Sequence, residues 1–197
     1  MTHKYLELAF TPAVLAAQKR SYGRAAKLRG ESERDVLGPA EREFIAARDS
    51  FYLGTVNADG WPYIQHRGGE RGFLRVLDER TLAFADLRGN RQLMSTGNLA
   101  DNPRVSLFLM DYPQRARLKV WGEARVFEAA DHPEWIAKVS SGAERVPIER
   151  VFVIDVAAFD WNCPQHITPR YSEDEVREVL APLRERIAEL ERQLAAR

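Results

Sequence analysis

Apolar and polar positions divide the chain into a helical beginning, a central series of strands and a helical end. Thr11 followed by Pro12 predicts a helix that reaches toward Leu28, because Thr is a good N-cap and Pro suits the first helical position. A polar stretch over residues 30–38 interrupts this pattern, and Pro39 begins a second, short helix. The first 49 residues are therefore predicted to be a helical extension.

From Ser50 onward, short runs of aromatic and β-branched residues alternate with turn signals. The runs SFYLGTVN and WPYIQHR flank Ala-Asp-Gly at residues 58–60, which predicts a β-hairpin. Further strands are predicted for the runs FLRVLD, TLAFAD, RVSLFLMDY, RLKVWGEARVFE and ERVFVIDVAAFDW. Six or seven strands joined mostly by short turns favour an antiparallel barrel over an alternating βαβ sheet.

Two more helices are expected towards the end of the chain. Asp131 is the expected cap of a short helix after the run RLKVWGEARVFE, and Ser172 with Glu175 forms a capping box for the last helix. Pro182 predicts a kink in that last helix, or a short helix before it.

The last helix carries apolar residues at alternating spacings of four and three, the pattern of a helix seam. These are Val176, Leu180, Leu183, Ile187, Leu190 and Leu194. The seam packs either on the protein's own barrel or on a partner subunit, and fewer than three heptads leave both alternatives open.

Length and composition set limits on function. A chain of 197 residues with 45% hydrophobic and 29% charged residues is typical of one globular domain with appended helices. We predict an N-terminal extension over 1–49, a barrel over 50–170 and a C-terminal helix over 171–197. The 29 basic and 29 acidic residues give no net charge, so a nucleic-acid partner is not expected.

The sequence contains no apolar run long enough to cross a membrane and no recognisable signal peptide. Cys163 is the single cysteine, which excludes an internal disulfide. We therefore expect a cytoplasmic protein without a membrane partner.

Three polar segments are candidates for chemistry: residues 65–69 at the end of a strand, 88–92 before a helix, and the loop 161–170. In the second segment, a helix N-terminus offers unpaired N–H groups and partial positive charge, to which Arg88 and Arg91 add guanidinium groups. This arrangement suits a phosphate. Solvated arginines at a helix start are the alternative that the residues leave open.

Cys163 and His166 invite a metal or nucleophile interpretation, which the rest of the sequence does not support. Structural metal sites need three or four ligands, and no matching second pair is present. A Cys–His nucleophile needs a third group to orient the histidine, and the local sequence supplies none. We predict no metal and assign no catalytic residue.

Together these segments resemble the FMN-binding core of the pyridoxamine 5'-phosphate oxidase-related proteins. The resemblance rests on FYLGTVNADGWPYIQHRGG, FADLRGNRQ and NLADNPRVSLFLMDY, in that order, over roughly residues 50 to 130. FTPAV and WNCPQHITPR extend it to a subgroup of flavoproteins. It implies a mainly β (α+β) fold, a six-stranded antiparallel split β-barrel with flanking N- and C-terminal helices. It also implies a homodimer that holds FMN at its interface.

The resemblance assigns cofactor-binding residues in three groups. At the end of the second strand, the residues that contact flavin and phosphate are Gln65, His66 and Arg67. After the fourth strand, the residues that hold the phosphate and the ring edge are Arg88, Asn90, Arg91 and Gln92. The contacts assigned to the partner subunit are Trp161, Gln165, His166 and Arg170.

The sequence departs from the true oxidases of this family. They recognise pyridoxal phosphate with an Arg and a His two residues apart, a pair that is absent in this setting, and Asn90 and Gln92 replace a phosphate-binding Ser and Lys. The resemblance therefore implies an FMN-dependent oxidoreductase that acts on a different small molecule. A non-enzymatic flavin carrier or sensor, and a split barrel that binds haem or a deazaflavin, are the alternatives.

Overall fold

The computed structural model describes residues 2–28, 30–142, 144–161 and 165–196. They form two compact units. The first comprises the described residues in 2–110 and 117–161, and the second those in 111–116 and 165–196. None of the described helices is both long and apolar enough to span a membrane.

The first unit is built around one sheet of seven strands. They are β1 (Ser50–Val56), β2 (Pro62–Gly68), β3 (Arg75–Val76), β4 (Thr81–Leu87), β5 (Arg104–Asp111), β6 (Ala116–Glu128) and β7 (Ile148–Trp161). The order across the sheet is β2-β1-β5-β6-β7-β4-β3. The pairings β1–β2, β1–β5, β3–β4, β4–β7 and β6–β7 are antiparallel. The predicted mainly β architecture is confirmed, with the two-residue β3 added to six longer strands.

Six helices flank these strands in the chain. They are α1 (His3–Ala9), α2 (Pro12–Tyr22), α3 (Pro39–Ala46), α4 (Met94–Asp101), α5 (Pro133–Val139) and α6 (Glu173–Ala195). Helix α2 begins as predicted, with Thr11 accepting from the Val14 N–H, but it ends six residues before Leu28. Gly23 stops it because its φ of 69° is left-handed, a conformation that glycine adopts without strain.

The cap predicted for α5 is wrong. Its N-cap is His132, and no side chain caps the helix. Asp131 lies one residue earlier, in the turn after β6, where its N–H donates to the Glu128 carbonyl at 3.2 Å.

Helix α6, in the second unit, begins with the predicted capping box. The Ser172 N–H donates to Glu175 Oε2 at 2.7 Å, and the Glu175 N–H donates to Ser172 Oγ at 3.2 Å. The helix runs through Pro182 without interruption, so the short preceding helix is not formed. None of its described side chains is buried, and five of the six seam residues are exposed, while Leu180 is half-buried. Which surface the seam packs on, the protein's own barrel or a partner, stays a prediction.

The main core lies on the inner side of the curled sheet. Its fully buried side chains come from five strands and include Phe51, Leu53, Leu82, Phe84, Leu107, Leu109, Leu118, Phe152 and Ile154. The opposite face of β4 and β7 packs against α5 in a second cluster that contains Ala83, Val139, Val151 and Val153. Because successive side chains of a strand point to opposite faces, β4 contributes to both cores.

The sheet curls far enough to bring distant strands together. Strands β2 and β4 are first and sixth in the sheet order, yet Arg67 on β2 and Asp86 on β4 form an ion pair at 2.5 Å. The curl of the sheet brings the C-terminal ends of β2 and β4 close to the N-terminal end of β7.

The N-terminal segment packs on the strands of the same unit. Thr2 Oγ1 donates to the Phe159 carbonyl at 2.9 Å, and the Tyr5 ring lies 4.6 Å from the ring of Trp121. The predicted boundaries at residues 50 and 171 remain predictions.

Candidate functional site

The ends of β2 and β4 and the start of α4 enclose a cleft of about 160 Å³. Strand β2 contributes alternate residues, the loop after β4 contributes its backbone and polar side chains, and β7 contributes one arginine. The lining residues include Tyr63, Gln65, Arg67, Asp86, Asn90, Arg91, Gln92, Ser95 and Arg150.

The floor of the cleft is a charged cluster of two arginines on one carboxylate. Arg67 Nη1 lies 2.5 Å from Asp86 Oδ1, and Arg150 Nε lies 3.0 Å from Asp86 Oδ2. The side chains of Asp86 and Arg150 are each 10% exposed. Burial by itself would lower the pKa of Arg150, but the hydrogen bond and charge of Asp86 raise that pKa above its ordinary value. Arg150 therefore stays charged.

Aromatic rings hold the Arg67 guanidinium in place from below. Its Cζ atom lies 5.4 Å from the ring centre of Phe84 and 5.0 Å from that of Phe152. Cations favour the faces of aromatic rings, so the two phenylalanines orient Arg67 as well as fill the core.

The loop after β4 forms one wall of the cleft and has an unusual backbone. The Gln92 N–H donates to Asn90 Oδ1 at 3.1 Å, and both Arg91 and Leu93 have positive φ, 60° and 54°. Non-glycine residues adopt this conformation at an energetic cost, which is often found at binding sites. Among the described residues, no ion pair or hydrogen bond engages the Arg91 guanidinium. It is the cation of the cleft that remains available to an anion.

Helix α4 begins at the cleft with its N-terminus uncapped by any side chain, since Leu93 is the N-cap. Met94, Ser95 and Thr96 of its first turn line the cleft. Ser95 Oγ donates to Gln65 Oε1 at 2.8 Å, which fixes the Gln65 amide and leaves its NH₂ group as a donor. Uncapped N–H groups and a helix dipole are a common arrangement for binding anions.

The structure brings five of the predicted residues together. Those that line the cleft are Gln65, Arg67, Asn90, Arg91 and Gln92. His66 lies on the opposite face of β2, with its ring 5.7 Å from the ring of Tyr52. Arg88 does not line the cleft, and its Nε lies 3.5 Å from Glu149 Oε1.

Of the residues predicted in loop 161–170, Trp161 does not line the cleft, and the other three belong to the second unit. Trp161 Nε1 donates to Glu41 Oε1 at 2.7 Å, within the first unit. Gln165, His166 and Arg170 belong to the second unit, where the Arg170 guanidinium lies 5.0 Å from the Tyr112 ring centre. Residues 162–164 lie outside the described residues. The contact of this loop with a cofactor stays a prediction.

Sequence reasoning missed Asp86, Ser95 and Arg150. A weak signal existed for two of them: Asp86 occupies an inward position at the end of the apolar run TLAFAD, and Arg150 directly precedes the apolar run VFVI. A charged residue at a position whose neighbours are core residues needs a partner, but the sequence does not say which one.

The fold and the cleft define a class: an antiparallel barrel with a cationic, partly enclosed cleft. The family model described as pyridoxamine 5'-phosphate oxidase matches residues 37–162. The chain belongs to this family.

The chain is similar to several solved structures. HupZ from Group A Streptococcus is 17% identical, with a TM-score of 0.50 over 64% of this chain and 99% of that chain. A putative pyridoxamine 5'-phosphate oxidase from Lactobacillus delbrueckii is 22% identical (TM-score 0.47, 61% of this chain and 90% of that chain). An FMN-binding protein from Syntrophomonas wolfei is 15% identical (TM-score 0.46, 62% and 83%). No curated protein matches the chain.

Proposed function

We propose that the cleft binds the phosphate end of FMN and that the protein is an FMN-dependent oxidoreductase, located in the cytoplasm. The observation that carries the proposal is the set of donors in one place: the free guanidinium of Arg91, the uncapped start of α4 and the Arg67–Asp86–Arg150 cluster. Guanidinium groups and helix N–H groups are the donors that phosphates prefer. Membership in the oxidase family supports the choice of a flavin.

The residues present also fit the polar edge of a flavin. The Gln65 amide, held by Ser95, offers N–H donors, and Asn90 and Gln92 add further amide groups. Bound flavin would supply the electron transfer, while these side chains orient it and influence its potential. No residue is assigned as an acid or base.

We infer that a second copy of the chain completes the site. The cleft formed by one chain has a volume of about 160 Å³, which is below the roughly 300–1,000 Å³ of typical cofactor pockets. On the outer face beside the cleft, Tyr52 and Ile64 are 39% and 69% exposed on neighbouring strands, β1 and the edge strand β2. Exposed apolar groups at a sheet edge are typical of an interface. This supports a homodimer with FMN between its subunits.

The substrate we propose is a small molecule other than vitamin B6 phosphate, since the sequence lacks the Arg and His, two residues apart, with which the true oxidases recognise pyridoxal phosphate. Purified FMN-loaded protein is expected to oxidise NADH or NADPH steadily when an electron acceptor is present. Oxygen-dependent turnover of pyridoxine phosphate would contradict the proposed substrate class. Tight FMN binding without any turnover would replace the oxidoreductase with a flavin carrier.

Arg91→Ala is expected to weaken FMN binding by about 1.5–3 kcal/mol, the range for losing a hydrogen bond to a charged group. The measurement is a titration of apo-protein that follows the oxidised-flavin absorption bands. Riboflavin, which lacks the phosphate, should bind more weakly to the wild type and should not distinguish it from the variant.

The matched control is Arg88→Ala, three residues away on the same loop. Its side chain pairs with Glu149 and does not line the cleft, so FMN affinity should change little. Equal losses in both variants would indicate a general charge effect. An unchanged dissociation constant for Arg91→Ala would remove the phosphate from this cleft.

A further inference from the structure

A second cavity, of about 410 Å³, lies beside the outer face of β4, which is opposite the main core. Its walls come from the end of β2, the turn before β3, strand β4, and the segment between α5 and β7. They are lined by Gly68, Gly69, Glu70, Arg71, Phe73, Arg75, Ala85, Leu87, Val139, Ser141, Glu144, Arg145 and Val146. All of these residues belong to the first unit, and only Leu87 also lines the cleft described above.

The inside of this cavity is apolar and opens to solvent. Ala85 and Val139 extend the second apolar cluster beneath α5, and Leu87 and Val146 are 36% and 40% exposed at its edge. The volume is within the roughly 300–1,000 Å³ range of small-molecule pockets. An apolar lining of this size favours a ligand with a hydrocarbon body.

Three arginines surround the apolar lining: Arg71, Arg75 and Arg145. Within the described part of the chain, none of them is in an ion pair or a side-chain hydrogen bond. Two carboxylates, Glu70 and Glu144, also line the cavity, so its titratable side chains carry a surplus of one positive charge.

The Glu144 carboxylate accepts hydrogen bonds from residues of its own turn. It accepts from the Ser141 N–H at 2.6 Å and from Ser140 Oγ at 2.9 Å. The Ser141 N–H, followed by the Ser140 hydroxyl, lowers the pKa of Glu144 to about 2. These bonds satisfy the carboxylate within its own turn, and among the described residues it forms no ion pair with the three arginines, which therefore remain available to an external anion.

The turn that carries Arg71 is held rigidly by its backbone. The Gly69 and Gly72 N–H groups donate to the carbonyls of Asp49 at 2.9 Å and Arg48 at 2.8 Å. Gly72 has a φ of 79°, and a Cβ there would lie 3.0 Å from the Ala46 carbonyl oxygen. A site built on such a fixed segment loses little entropy when it binds a ligand.

We propose that this cavity binds a small amphipathic carboxylate, with a hydrocarbon chain against Ala85, Leu87 and Val146 and a carboxylate at the three arginines. Guanidinium groups pair with carboxylates through two parallel hydrogen bonds, and the apolar lining accounts for the body of the ligand. The site shares only Leu87 with the proposed FMN cleft, and it uses none of the residues proposed to bind FMN.

Isothermal titration with decanoate, below its micelle concentration, tests the proposal on the full chain. Saturable binding is expected, and the double variant Arg75→Gln, Arg145→Gln should weaken it about tenfold or more, because charged hydrogen bonds are lost. Ala85→Leu, which fills the cavity without changing charge, should weaken it as well. Arg20→Gln, at an exposed position of α2, is the matched control and should bind like the wild type.

Decanol and decyltrimethylammonium separate charge recognition from simple apolar binding. Both should bind at least about tenfold more weakly than decanoate if the arginines hold the carboxylate. Equal binding of the cationic probe, absence of saturable decanoate binding, or wild-type affinity in both cavity variants would overturn the proposal. FMN affinity should be unchanged in all of these variants, and a parallel loss would place the decanoate in the FMN cleft, which also overturns it.

Discussion

Replacing Asp86 by Ala is expected to destabilise the protein by about 3–5 kcal/mol, because it leaves two buried arginines without their shared partner. Arg67 and Arg150 lie at 2.5 and 3.0 Å from the two oxygens of this carboxylate, and their side chains are only 14% and 10% exposed. The guanidinium groups cannot lose their charge at ordinary pH, so the folded state would bear the cost of burying the Arg67 charge, while Arg150 would keep Glu149, whose Oε2 lies 3.0 Å from Arg150 Nη2.

The free energy of unfolding from urea denaturation measures this effect. Asp59→Ala, in the exposed turn between β1 and β2, is the matched control and should change stability by less than about 0.5 kcal/mol. A loss below about 1 kcal/mol for Asp86→Ala would mean that Glu149 and Glu128, which also lie near Arg150, suffice to hold the cluster.

Replacing Phe84 by Ala is expected to cost about 3–5 kcal/mol of stability through the cavity it leaves in the main core. Phe84 is 1% exposed, stacks on Phe152 at 4.9 Å between ring centres and meets Phe51 edge-on at 5.3 Å. Its ring also faces the Arg67 guanidinium. FMN affinity should therefore fall together with stability, at temperatures where the variant is still folded.

Tyr22→Ala is a suitable comparison for the Phe84 variant. Tyr22 is the last residue of α2 and is 78% exposed, so its loss should cost less than about 1 kcal/mol. Urea denaturation of both variants measures how much each substitution lowers the free energy of unfolding. Similar losses for the two aromatic residues would contradict the assignment of Phe84 to the main core.

Much of the fold follows from local sequence. The Asp-Gly turn between β1 and β2, the alternating pattern of the strand runs and the Ser172–Glu175 capping box each act within a few residues, and each is found where predicted. The end of α2 was missed although Gly23 signals it, because the helix-favouring residues beyond it suggested a longer helix. The α5 cap was misplaced by one residue, since His132 takes that position without a side-chain bond.

The site was only partly predictable because its centre is formed by contacts between distant residues. Asp86 and Arg150 are 64 residues apart in the sequence and meet only because β4 pairs with β7. Arg88 and Arg91 look equivalent in the sequence, yet the backbone of the loop directs Arg91 to the cleft and leaves Arg88 beside Glu149. Local sequence suggests which residues are available, and the pairing of the strands decides which of them meet.

Successive side chains of strand β2 alternate between the cleft and the outer face of the sheet. Tyr63, Gln65 and Arg67 line the cleft, while Ile64 and His66 lie on the exposed face. Substitutions at even-numbered positions therefore change the outer surface, which we propose to contact the partner subunit, and leave the side chains that line the cleft unchanged. A one-residue insertion inside the strand would exchange the two sets of side chains at once. Substitutions should be tolerated along this strand in the history of the family, and changes in its length should be rare.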